Sequence, residues 1–195
     1  MRAIELFSSL EERLSAELFR LRRCTQFIVE SAGKPLFKNF PLVEEGNWFK
    51  QVKVRHHKKE NPIVESFNSA FENKFGIQRI HQRAIFTNGE KSFRIQEGCE
   101  TFYVFPTNQY KYIYNPEVTS ANSRYQTTFE QLQETFDQET IKGLMTELLG
   151  YTYVSGNLRE GIDRGAEIVF FGIPFYYAVS VKSFPSYKEL YNMIK

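Results

Sequence analysis

Cysteine is scarce. Cys24 and Cys99 are the only two in 195 residues, too few for a disulfide framework, so a reducing intracellular setting is the default expectation. No signal-like apolar segment follows Met1, and the longest apolar run, Ile173 to Val179, is far too short to span a bilayer. A membrane partner is therefore not expected. Two cysteines and three histidines do not make a familiar structural zinc site, so no metal is expected either. The net charge of +2 gives no strong overall field, which removes the argument for non-specific nucleic-acid or membrane binding by total charge. Phosphate-loop, dinucleotide-loop, nucleophile-elbow and HExxH motifs are all absent. A Cys-His catalytic pair has no local sign of an activated thiol.

Aromatics are what the chain has in excess: 19 Phe and 11 Tyr stand against a single Trp. Such residues suit half-buried sheet surfaces, and tyrosine adds a polar tip. With 42% hydrophobic and 25% charged residues the length fits one globular domain. No repeat or low-complexity tract divides it.

Residues 1–24 read as an N-terminal amphipathic helix, with Ile4, Phe7, Leu10, Leu14, Leu18 and Leu21 at spacings of three and four. It either packs on the domain's own sheet or serves as a homo-oligomer or assembly seam. Gly33 to Gly46, with two prolines, reads as an irregular connector. Trp48 to Val54 reads as a strand, and Asn61-Pro62 opens a helix that Gly76 stops. A short strand covers Arg83 to Thr87, and Phe93 to Ile95 reads as a strand or helix start. Thr101 to Phe105 and Tyr110 to Tyr114 read as two strands of a hairpin with a longer loop. The polar run Glu117 to Gln126 reads as a mobile loop. Thr128 and Gln131 suggest a capping box for two helical pieces meeting near Asp137 to Thr140 and ending at Gly150. A short helix spans Asn157 to Arg164. The stretch GAEIVFFGIPFYYAVSVKS, Gly165 to Ser183, gives two apolar strands joined at Gly172-Ile173-Pro174. Ser186 and Glu189 cap a C-terminal helix over residues 186–195. The expectation is a single-domain α+β fold, its core at residues 48–183, with a mixed or largely antiparallel aromatic-rich sheet and flanking helices.

Two features carry chemistry. Glu167 is the only acid between Asp163 and Glu189 and stands at the head of an apolar strand, where it is either a solvated strand end or a placed functional group. Lys50, Lys53, Arg55, Lys58 and Lys59 form the strongest cationic run, fit for phosphates of a nucleic acid or nucleotide, or else a solvated basic turn.

RAIFTNG (Arg83 to Gly89), YVFPTNQYKYIY (Tyr103 to Tyr114) and GAEIVFFGIPFYYAVS, in that order after the basic strand end, resemble the ADP-ribosyltransferase fold. In that family an Arg or His on an early strand, a Ser/Thr on a central strand and a Glu beginning a late strand hold NAD. The resemblance implies NAD as cofactor and transfer of ADP-ribose to a protein or nucleic-acid acceptor. It implies Glu167 as the carboxylate stabilising an oxocarbenium-like centre and Thr87 as its orienting hydroxyl. Arg55, His56 or His57 becomes the early phosphate or ribose contact, and Tyr103 or Tyr110 the stacking platform for nicotinamide. The chain departs from the family at Thr87-Asn88, where Ser-Thr-Ser is common, and at Gly165, where arginine-modifying members carry Glu or Gln. The chain is also similar in flavour to uncharacterised tailed-phage proteins, for which the location would be host cytoplasm or virion. The reading from another class is a non-enzymatic phage-type structural or binding protein whose basic patch contacts nucleic acid or a protein partner.

Overall fold

A computed structural model of the chain describes residue 12 and residues 14–42, 48–54, 62–89, 97–117 and 121–195, with only the backbone for 62, 63, 81, 121–124 and 126. The leucine spacing near the N-terminus does form helix: α1 covers residues 14–20. A 3-10 turn, Leu21–Cys24, joins it to α2, Thr25–Glu30. Leu18, Leu21, Cys24, Phe27 and Ile28 bury one face of this segment. Helix therefore runs past the expected end at residue 24. The part of the expected helix at residues 1–11 lies outside the described residues.

Seven strands form one antiparallel sheet in the order β2-β7-β4-β1-β3-β6-β5. They are β1 (Phe37–Pro41), β2 (Phe49–Lys53), β3 (Ala84–Asn88), β4 (Cys99–Pro106), β5 (Lys111–Asn115), β6 (Glu167–Phe171) and β7 (Phe175–Ser180). The α+β class holds. Helices α3 (Pro62–Phe75), α4 (Ile80–Arg83), α5 (Ala121–Gln133), α6 (Gln138–Thr152), α7 (Leu158–Asp163) and α8 (Tyr187–Ile194) complete the described chain. None of them is long and apolar enough to cross a membrane.

The sheet has a seam. β1 and β4 share five residue pairs, whereas β1 meets β3 only at Phe37 opposite Asn88. Two buried clusters flank it. One joins Phe27, Phe105, Ile168, Phe170 and Tyr187 beneath α2 and α8; the other joins Phe67, Phe71, Met145, Tyr153 and Val169 beneath α3, α5 and α6. Along β6 the side chains alternate between them, as strand geometry requires. Phe27 meets Phe105 and Phe170 edge to face at 5.9 and 6.5 Å. Each such buried ring stabilises the fold by about 2–3 kcal/mol through area alone.

Four sequence expectations are corrected. The connector after Gly33 contains a strand, β1, because Phe37 and Phe40 lie on opposite faces and each finds a ring, Tyr103 at 5.6 Å and Phe102 at 5.2 Å. β4 and β5 do not form a hairpin. β4 has β1 and β7 on its two edges, and the linker between β4 and β5 is tied instead to α2, with Asn108 Nδ2 donating to Thr25 Oγ1 and Gln109 N to Gln26 Oε1. The polar run after Glu117 is helical from Ala121, so Thr128 lies inside α5 rather than capping it. Helix α6 passes Gly150 and ends at Thr152, where Lys74 donates to the carbonyls of Gly150 and Tyr153.

The expected cap at Ser186 is present, the one at Asn61 lies outside the described residues, and two further caps appear that the sequence reading did not single out. Asp137 accepts from the backbone N–H groups of Glu139 and Thr140 at the start of α6, Asn157 from Arg159 at α7, and Ser186 from Glu189 at α8. The expected element at Phe93 to Ile95 lies outside the described residues.

Candidate functional site

Gly165 sets the position of Glu167. It adopts φ +64° directly after α7, a conformation glycine reaches at no steric cost, and turns the chain into β6. Gly89 N donates to Ala166 O, which locks the end of β3 against that turn. In register, Asn88 of β3 and Asn115 of β5 lie directly opposite Glu167 on either side. All three are buried.

The Glu167 carboxylate accepts a hydrogen bond of 2.5 Å from the Tyr153 hydroxyl, which comes from the residue after α6. Asn115 Nδ2 donates to Tyr125 Oη, and Tyr125 donates to Thr152 Oγ1. Burial, and then the Glu167 charge, pushes the Tyr153 phenol well above its ordinary value. Lys38 of β1 reaches across the seam and donates to Phe86 O at 2.9 Å. Burial lowers its ammonium pKa, and the Glu167 charge opposes that fall. The arrangement is a buried carboxylate with a tyrosine donor and a nearby cation, roofed by α3, α5 and α6.

Thr87 is elsewhere. It neighbours Asn88 in a strand, so it points to the opposite face from Glu167, in register with Ile168 and Tyr114, and its hydroxyl donates to Ile168 O at 3.0 Å. Tyr103 packs on Tyr187 at 5.0 Å and donates to Pro185 O. Tyr110 packs edge to face on Phe170 and donates to Glu30 Oε2 at 2.6 Å; burial and that carboxylate raise its pKa. Both tyrosines belong to the first cluster, whereas Glu167 meets Tyr153 of the second. Arg55, His56 and His57 lie outside the described residues.

The residues the sequence reading missed beside Glu167 are Lys38, Asn88, Asn115 and Tyr153. Asn88 was one position from the expected hydroxyl. A lysine between Phe37 and Phe40 was the available signal for Lys38.

The basic run starts on an edge strand. Trp48 O accepts from Ser180 N and Val54 N donates to Pro174 O, so residues 48, 50, 52 and 54 bond to β7 and residues 49, 51 and 53 direct their backbone groups away from it. Among the described residues no strand lies beyond β2. Gln51 and Lys53 are exposed. Lys50 is already engaged: its ammonium lies 4.2 Å from the Phe102 ring centre and 5.2 Å from that of Phe40, and burial lowers its pKa against the pull of Glu100. The opposite edge, β5, is closed at Tyr114, whose N–H and C=O both bond Val154.

A shallow groove of about 720 Å³ runs between α3 and α6, lined by Ser69, Asn73, Lys142, Thr146 and Tyr151 among others. Its cations are partnered, Lys74 by the carbonyls at the end of α6 and Lys142 by Glu65 at 3.4 Å.

No protein-family model matches the chain, nor does any curated protein or solved structure.

Proposed function

We propose that the protein is a non-enzymatic binding protein that presents β2 and the basic residues following it to an anionic partner. The observation that carries this reading is the edge position of β2: its outward backbone groups have no partner among the described residues, and the strand leads by sequence into Arg55, Lys58 and Lys59. The buried cluster at Glu167 fits the same reading as a polar pin between sheet and helices, since its carboxylate is held by Tyr153 under a helical roof. The test is fluorescence anisotropy with two anionic probes, a single-stranded oligonucleotide and an acidic peptide, over a salt series. Binding of at least one probe that weakens with salt, and weakens further in Lys53→Glu, is expected. Absence of binding to both probes rejects the reading.

A second reading, NAD binding with ADP-ribose transfer to a protein or nucleic-acid acceptor, is favoured by one observation: Glu167 heads β6 with a cation of an early strand, Lys38, close enough to feel its charge. In it Glu167 stabilises the developing positive charge on ribose, and Lys38 takes the phosphate-contacting part that the family gives to Arg or His. Calorimetric titration with NAD checks it. Heat of binding that disappears in Glu167→Gln supports it, and no heat in the unsubstituted protein rejects it.

A further inference from the structure

We infer that the partner of β2 is an extended acidic peptide that joins the sheet as an eighth strand. The inference rests on the binding reading above and narrows it to one class of partner.

Phe49, Gln51 and Lys53 each send one N–H and one C=O outward. At roughly 3.4 Å per residue these groups recur about every 7 Å, the repeat of a peptide strand. They require donors and acceptors together. A phosphodiester backbone offers acceptors alone and leaves the three outward carbonyls without donors, whereas a peptide satisfies both kinds of group.

Charge then selects among peptides. Lys53 is exposed at the strand's end, and Arg55, Lys58 and Lys59 follow it in sequence. An acidic segment lying along β2 offsets Lys53, and its charge is opposite to that of the run that follows in sequence. A second copy of β2 adds like charge, and lysine on an edge strand is itself a device that discourages identical edges from pairing. At the other edge the outward groups of Tyr114 are already bonded to Val154, so β2 presents the longer run of outward groups among the described residues.

The test uses the full chain and labelled probes: an alternating Glu-Val peptide, its Lys-Val counterpart, the Glu-Val peptide N-methylated on alternate amides in either register, and single-stranded oligothymidylate. The Glu-Val peptide should bind and the Lys-Val peptide should not. Methylation in one register should weaken binding about tenfold or more, and in the other register little, because one edge of the added strand faces β2. Gln51→Pro removes an outward donor at a position where an edge strand tolerates proline, and should weaken binding similarly. Lys53→Glu, an exposed side-chain change, should do so without any backbone effect.

Oligothymidylate binding without Glu-Val binding overturns the inference and leaves the broader reading standing. Glu-Val binding that ignores methylation register and Gln51→Pro overturns it too. Self-association of the unliganded chain that Gln51→Pro abolishes assigns the edge to a second copy instead. Failure of both anionic probes overturns the inference and the broader reading together.

Discussion

Tyr153 and Glu167 join the helical layer to the sheet by one hydrogen bond of 2.5 Å, made where both side chains are buried. A bond to a carboxylate in such a place contributes about 2 kcal/mol. Tyr153→Phe keeps the ring that packs 4.8 Å from Phe71 and loses only the hydroxyl. Urea denaturation should show a loss of about 2 kcal/mol with an unchanged slope. A loss below about 0.5 kcal/mol would mean the bond contributes nothing net.

Alkaline pH should unfold the protein steeply. Burial is the first cause that raises the phenols of Tyr110, Tyr153, Tyr176 and Tyr187 above their ordinary value of 10.0. Groups whose folded pKa is raised contribute stability that is full below the unfolded value and lost as pH climbs past it. Stability should therefore fall above pH 10, and part of the tyrosinate absorbance should arise only with loss of near-ultraviolet circular dichroism. Tyr153→Phe should make the fall shallower.

Two glycines should respond oppositely to alanine. A Cβ on Gly89 falls 2.5 Å from Ile162 O, on backbone that cannot give way, so Gly89→Ala should cost about 1–3 kcal/mol. Gly143 sits inside α6 with nothing within 4 Å of its added Cβ, and Gly143→Ala should stabilise by about 0.5–1 kcal/mol through helix propensity. Thermal melting of the two variants compares them directly.

The sequence made the periodic elements legible because their signals are local. The cap at Ser186, the short helix after Asn157 and the apolar runs of β6 and β7 reside in a few adjacent residues, and each element formed there. β1 stayed hidden because Pro35 and Pro41 mark its flank and end as a connector, while its pairing partner β4 lies some 60 residues on. The hairpin expected of β4 and β5 failed for the same reason: adjacency in sequence says nothing about which edge of β4 is already occupied. At the candidate site Glu167 was visible as a lone acid before an apolar run. Thr87 was not wrongly seen as a polar strand residue, but strand alternation turns it to the other face and gives the position opposite Glu167 to Asn88. Lys38 and Tyr153 reach Glu167 from 129 residues before it and 14 before it, Lys38 through charge and Tyr153 through its hydroxyl. Only the tertiary fold brings them there.

Among the described residues β2 is an unpaired edge, and amide hydrogen exchange at single-residue resolution tests whether it takes a strand. In the free monomer the amides of Lys50, Val52 and Val54 should be protected, and those of Phe49, Gln51 and Lys53 should exchange fast. Adding the acidic Glu-Val peptide should protect the second set. Protection of Phe49, Gln51 and Lys53 in the free monomer, or fast exchange that the bound peptide leaves unchanged, would contradict the proposal.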